Sequence, residues 1–190
     1  MTSTTTKRMT AAEFFAWCDL PENAGRVFEL DCGEVIEMSR PRPLHGVVFG
    51  LVSRALTYYL DSGKPGEYVA DAALRITDDT IRGPDAMLFD RELTGEELAA
   101  RAAEVVPVLC VEILSPSNRQ DEMADKIDQY LGRGVKLVWV LDPDARTVRV
   151  IRPDELEKTL DETDTLTGNG VLPDFSCPVI DLFRRPRAAN

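Results

Sequence analysis

The sequence predicts a single α/β domain built on a mixed β-sheet flanked by helices, and three patterns point to it. Val108 to Leu141 reads as a strand, a crossover helix and a second strand, a unit whose two strands lie parallel. Val48, Leu51, Val52, Ala55, Leu56 and Tyr59 recur at three- and four-residue spacing, as in an amphipathic helix laid on a sheet. Val27 to Leu30 and Glu34 to Met38 flank Asp31-Cys32-Gly33, an antiparallel hairpin with glycine at the left-handed position. At 190 residues and 44% hydrophobic, the chain holds one full core and is too short for two comfortable ones. The expected boundaries are a disordered or frayed N-terminus over 1–9, the domain over 10–183 and a C-terminal tail over 184–190, with no repeat or linker.

In chain order, Thr10-Ala11-Ala12-Glu13 has the form of a capping box, so a short helix starts at Ala11 with Phe14, Phe15, Trp17 and Cys18 on its apolar side. The hairpin and the long helix follow. Tyr68 to Ile76 reads as one strand, Asp78-Asp79 as a turn, and Gly83-Pro84 leads into a strand starting near Asp85. Thr94 to Glu97 caps an acidic helix over Leu98 to Val105, before a doubly buried strand ending in Ile113-Leu114. Ser115-Pro116-Ser117-Asn118 supplies a turn and a cap for a helix from Arg119 to Leu131, which Gly132 and Gly134 stop. Val135 to Leu141 is the parallel partner, and Arg146 to Ile151 an antiparallel edge neighbour. Leu172 to Phe175 and Val179 to Phe183 read as packed tail segments.

Net charge is −11, which argues against extended contact with nucleic-acid phosphates but leaves room for a local basic groove. The clusters Arg40-Pro41-Arg42 and Arg184 to Arg187 read as solvated surface. No stretch approaches the roughly 18 apolar residues of a membrane helix, and no apolar run follows Lys7 and Arg8 as a secretory signal requires, so the expected place is the cytoplasm. The four cysteines are scattered without a C-x-x-C pair and read as buried reduced thiols. A single histidine disfavours zinc.

Glu112 is the residue that demands explanation. An isolated carboxylate in Val108-Leu109-Cys110-Val111-Glu112-Ile113-Leu114 costs several kcal/mol unless a metal ion or a lysine compensates it. Asp85, in Pro84-Asp85-Ala86-Met87-Leu88-Phe89, is a second acid at the head of an apolar run. On the crossover helix, at about 100° per residue, Met123, Ile127, Tyr130 and Leu131 form a stripe with Lys126 at its edge, while Asp121, Asp125 and Asp128 point away. Two carboxylates with a nearby lysine suit a hard divalent ion such as Mg²⁺ or Mn²⁺ and phosphoryl chemistry. The same residues also read as a buried ion pair with Asp85 a turn acid. Tyr58, Tyr59 and Trp139 read as core.

Pro84-Asp85, Glu112-Ile113-Leu114 and a lysine displaced onto the next helix resemble a variant of the PD-(D/E)xK nuclease core. Val111 to Ser117, Lys126-x-x-x-Tyr130, Gly134-Val135 and Val138-Trp139-Val140-Leu141-Asp142-Pro143 resemble the Uma-two family of putative restriction endonucleases. Phe28 to Glu34, Met38-Ser39-Arg40-Pro41 and His45 are similar to that family's opening, so the likeness covers about Thr10 to Phe183. The resemblance implies a restriction-endonuclease-like fold and a magnesium-dependent site. Asp85 and Glu112 are then metal ligands, Lys126 the catalytic lysine, and Glu29 an additional ligand or an acid supporting them. His45, the single histidine, reads equally as a substrate contact lining the site and as a cap or core hydrogen bond, and Ser115 as a helix cap ahead of a phosphate contact. The departure is Leu114, which stands where E-x-K has its lysine.

Three functions compete at this level. The first is a Mg²⁺-dependent endonuclease acting on DNA, expected as a homodimer because paired sites suit a two-stranded substrate. The second is a catalytically silent nucleic-acid-binding or protein-adaptor module that keeps the fold. The third is a structural ion pair, which would show a closed Glu112 to Lys126 contact and no cavity.

Overall fold

A computed structural model describes residues 8–115, 120–153 and 155–184, with backbone alone at 120 and 121. Helix α1 (Ala11–Cys18) starts at a complete capping box, in which Thr10 Oγ1 accepts from Glu13 N and Glu13 Oε2 accepts from Thr10 N. Strands β1 (Phe28–Asp31) and β2 (Glu34–Glu37) pair with Asp31 opposite Glu34, leaving a two-residue turn. Both turn residues are left-handed, Cys32 at φ 47° and Gly33 at φ 83°, the geometry that matches strand twist in a tight hairpin. The described end of the N-terminal segment is anchored there, since Met9 N donates to Gly33 O at 2.9 Å. The rest of the expected frayed start, like residues 185–190 of the expected tail, lies outside the described residues.

Helix α2 (Pro43–Asp61) carries the predicted stripe and buries Val48, Leu51, Val52, Leu56 and Tyr59. The single strand expected over Tyr68 to Ile76 is instead two, β3 (Glu67–Ala70) and β4 (Leu74–Thr77), which belong to different sheets. The chain turns at Asp71, φ 48°, whose N–H is held by Asp85 O at 3.0 Å. Strands β5 (Thr80–Arg82) and β6 (Ala86–Phe89) follow. The second capping box forms, but α3 (Gly95–Ala99) ends after five residues. The expected continuation to Val105 fails because the backbone is extended at Ala100 and Ala103 bridges to Leu74.

Strand β7 (Leu109–Ile113), helix α4 (Gln120–Arg133) and strand β8 (Leu137–Asp142) form the predicted parallel crossover unit. Gly132 lies inside α4, and the stop is Gly134 at φ 107°. The turn and cap read from Ser115 to Asn118 fall, beyond Ser115, outside the described residues. Strand β9 (Thr147–Ile151) is antiparallel to β8 as expected but is no edge, because β10 (Lys158–Leu160) pairs with it. Arg149 gives its guanidinium to Glu157 there. Strands β11 (Thr165–Thr167) and β12 (Ser176–Pro178) complete the chain.

The six-stranded sheet runs β10-β9-β8-β7-β6-β3, with β7 and β8 parallel and the other pairs antiparallel. Its alternation sorts the core. Leu88, Val111, Ile113, Trp139 and Leu141 face α2 and the C-terminal Phe175, Val179 and Leu182. Met87, Phe89, Cys110, Val138 and Val140 face Met123, Ile127 and Tyr130 of α4. A four-stranded sheet, β2-β1-β5-β4, stands beside it. Among the described residues no helix is long and apolar enough to cross a membrane. All four cysteines are free, but only Cys110 is fully buried and Cys32 is exposed. Of the three expected core aromatics, Tyr59 and Trp139 are buried, whereas Tyr58 is 77% exposed.

Candidate active site

Strand alternation puts Glu112 on the α4 face of β7, between positions filled by apolar side chains. Ala86 pairs with Val111, so the chain delivers Asp85 beside Glu112 just before β6 begins. Glu112 is 4% exposed and Lys126, on the inner side of α4, 6%. The lysine Nζ stands 3.6 Å from Glu112 Oε1 and 2.7 Å from Glu29 Oε1, on β1 of the other sheet. Asp125 and Asp128 are exposed, as the helical spacing predicts; the side chain of Asp121 lies outside the described residues.

Each carboxylate is held differently. Tyr130 donates its hydroxyl to Glu112 Oε1. Asp85 Oδ2 accepts the backbone N–H of Ile113 at 2.6 Å, and its Oδ1 lies 3.0 Å from His45 Nε2 near the start of α2. Glu29 accepts three hydrogen bonds: Oε1 accepts from Lys126 and from Gly83 N at 3.0 Å, and Oε2 accepts from Arg82 Nη1 at 3.0 Å. Arg82, itself buried, also donates to Gln129 Oε1 and meets Asp31 Oδ1 at 2.7 Å, and Gln129 Nε2 donates to Asp31. This Arg82–Gln129–Asp31 clasp was not expected from the sequence. Its one trace is an arginine at the end of the short segment Thr80-Ile81-Arg82, just before Gly83-Pro84-Asp85.

The charges set the proton affinities. Burial raises Glu112 to about 7; Lys126 opposes the rise, Asp85 and Glu29 add to it, and the Tyr130 hydrogen bond opposes it. Burial disfavours the Lys126 ammonium, yet Glu112 and Glu29 outweigh it and its pKa is raised. His45 is raised mainly by its hydrogen bond to Asp85, against burial, with Glu112 and Asp71 adding to the effect.

Glu29, His45, Asp85, Glu112, Ser115 and Lys126 all line one cavity of about 740 Å³. Of the two marks of the third reading, the close Glu112 to Lys126 contact is present at 3.6 Å, but the absence of a cavity is not, because both groups and Asp85 line the hollow. Ser115 is on its wall at the exit of β7, and the helix cap expected of it falls among residues not described. Among the described residues no three His, Cys, Asp or Glu side chains gather as a metal cage. The donor set is a pair of carboxylates at a wet cavity, which fits a Mg²⁺-like ion that keeps several waters and takes one or two protein carboxylates.

A family model described as Uma2, putative restriction endonuclease, matches residues 11–180. No curated protein matches the chain. Among solved structures, a putative nuclease belonging to DUF820 from Anabaena variabilis shares 21% identity with a TM-score of 0.77, over 92% of this chain and 97% of that one. That likeness is one of fold, and it agrees with the mixed sheet flanked by helices expected from the sequence.

Proposed function

Because the chain belongs to the Uma2 family of putative restriction endonucleases, we propose that it is a divalent-metal-dependent endonuclease hydrolysing phosphodiester bonds of DNA. The observation that carries this reading is the convergence of Asp85, Glu112 and Lys126 on one solvent-reachable cavity. Asp85 and Glu112 are the residues that would hold Mg²⁺ or Mn²⁺. Bound there, the ion would acidify a water and neutralise charge on the phosphodiester.

The chain's own groups do the rest. Tyr130 and the Ile113 N–H fix the two carboxylates. Lys126, held by Glu29, presents its ammonium where negative charge develops on the attacked phosphate. His45 and Ser115, on the same wall, face the path of the substrate. Hydrolysis adds hydroxide to phosphorus and a proton to the departing sugar oxygen. We place the protein in the cytoplasm as a homodimer, the commonest symmetry among soluble oligomers.

The test is cleavage of labelled DNA with Mg²⁺ or Mn²⁺ by wild type, Asp85→Ala and Lys126→Met, with circular dichroism to confirm folding. Loss of metal-dependent cleavage in folded variants is expected; equal cleavage in both removes the proposal. The net charge of −11 favours the adaptor reading as second. Calorimetric titration separates the two, because an adaptor need not bind Mn²⁺.

A further inference from the structure

The shape and charge of the cavity bear on which form of DNA can use it, an inference that rests on the nuclease reading. Glu112 and Lys126 are 4% and 6% exposed, so a phosphate meets them only by entering the hollow of about 740 Å³. That is the size of a small-molecule pocket, roughly 300–1,000 Å³. A duplex, whose major groove alone is about 12 Å wide, cannot descend into it, whereas a single backbone can bend inward.

Charge points the same way. A duplex carries a phosphate about every 1.7 Å of axis, a single strand one about every 3.4 Å, so over the same length a duplex calls for about twice the basic charge. The other arginines lining this cavity are already matched, Arg26 with Glu37 and Arg82 with Glu29 and Asp31, and Arg42 beside it is matched with Asp144. Arg40 is different. It is exposed, it lines the cavity, and among the described residues it has no acid or hydrogen-bond partner. One free guanidinium at the mouth fits one or two phosphates.

The mouth is also apolar. Val27 is 65% exposed, and with Met38, Pro41 and Phe49 it lines the same cavity. Such a wall suits the face of a base, which a single strand offers and a duplex hides in its stack.

We infer that the site takes an unpaired DNA strand, with Arg40 receiving a backbone phosphate at the mouth and a neighbouring base lying against Val27 and Met38. Cleavage by the full chain with Mn²⁺ is compared on one sequence as a single strand, as a blunt duplex and as a duplex with an unpaired tail. Binding of the single strand and the blunt duplex is followed in parallel by fluorescence anisotropy. The single strand and the tail are cut at least tenfold faster than the blunt duplex. Arg40→Ala raises KM for the single strand about tenfold with kcat little changed.

Duplex cut as fast as single strand, or an unchanged KM in Arg40→Ala, overturns the inference and leaves the nuclease reading standing. If nothing is cut, the nuclease reading falls. The inference then stands if single-strand binding exceeds duplex binding about tenfold and is lost in Arg40→Ala, and is overturned if the two bind alike.

Discussion

Replacing Glu112 by glutamine stabilises the metal-free protein above neutral pH. Glu112 is raised from 4.5 to about 7, first by burial. A carboxyl whose folded pKa exceeds its unfolded one contributes stability below the unfolded value, and that contribution is lost as pH rises to the folded value. The window is therefore pH 4.5 to 7. At about 1.4 kcal/mol per pH unit, the ionised side chain costs the fold about 3 kcal/mol by pH 8. Glutamine keeps the shape and can still accept from Tyr130, while Lys126 keeps its 2.7 Å contact to Glu29. In urea unfolding with EDTA, Glu112→Gln matches wild type near pH 5 and exceeds it by about 1–3 kcal/mol at pH 8, a rise in Tm of roughly 2–12 °C. Groups that do not interact with Glu112 cancel in the difference, while Lys126 and His45, which its charge raises, shift with it. A variant no more stable than wild type at pH 8, or a difference that does not grow with pH, refutes the reasoning.

Arg82→Met leaves Glu29 and Asp31 without a cation they share, in a site where Arg82 is 3% exposed. Breaking a buried pair costs about 3–5 kcal/mol, so urea unfolding near pH 7 shows a loss of that size, and a loss below about 1 kcal/mol rejects the clasp. Phe175→Ala removes a ring 5.1 Å from Trp139 and 5.6 Å from Tyr59. A loss of about 3–5 kcal/mol in the same assay is expected, and none would detach the C-terminal segment from the core. Binding of Mn²⁺ displaces the proton that Glu112 carries below about 7. Affinity by calorimetry therefore rises from pH 6 to pH 8, with proton release seen by comparing buffers of different ionisation heat; a flat affinity contradicts Glu112 as ligand.

What the sequence made legible was whatever local physics decides. Thr10 and Glu13 satisfy helix N–H groups on their own, and Cys32-Gly33 supplies the two left-handed residues of a tight hairpin. The doubly apolar run around Glu112 announced a buried strand with one misfit acid. Where two distant segments decide, the sequence was silent. Ala70-Asp71-Ala72-Ala73 carries no glycine or proline to mark a break, and the change of sheet comes at Asp71, left-handed at φ 48° with its N–H on Asp85 O. The second cap promised a long helix, but Ala103 is drawn to the β4 segment, where its N–H donates to Ala73 O and its carbonyl accepts from Arg75 N. Arg149 resembled an edge residue because its partner Glu157 lies beyond a turn. At the site the acids and Lys126 were readable as misplaced charges. Arg82 was not, because an arginine in a strand of three residues is commonplace until its three partners are known.

Moving the lysine from strand to helix changes what holds it. Leu114 stands two residues beyond Glu112, on the same face by alternation, and packs with the α4-side core. A lysine there would be fixed by the six-stranded sheet alone. Lys126 instead reaches Glu112 of that sheet and Glu29 of the four-stranded sheet with one ammonium group. Gln129, about one helical turn further along α4, bonds Arg82 and Asp31 of the same smaller sheet. Helix α4 thus clamps the two sheets on the side where the cavity lies, and the distance between Lys126 and the carboxylates is set by how the sheets sit on that helix. The cluster around it holds four carboxylates, from Glu29, Asp31, Asp85 and Glu112, against the two fixed cations of Lys126 and Arg82, with His45 beside Asp85. An unbalanced negative charge remains where the cavity admits water. It contributes to the raised affinity of Glu112 for a proton, and it is the charge that a divalent cation would neutralise without moving the clamp.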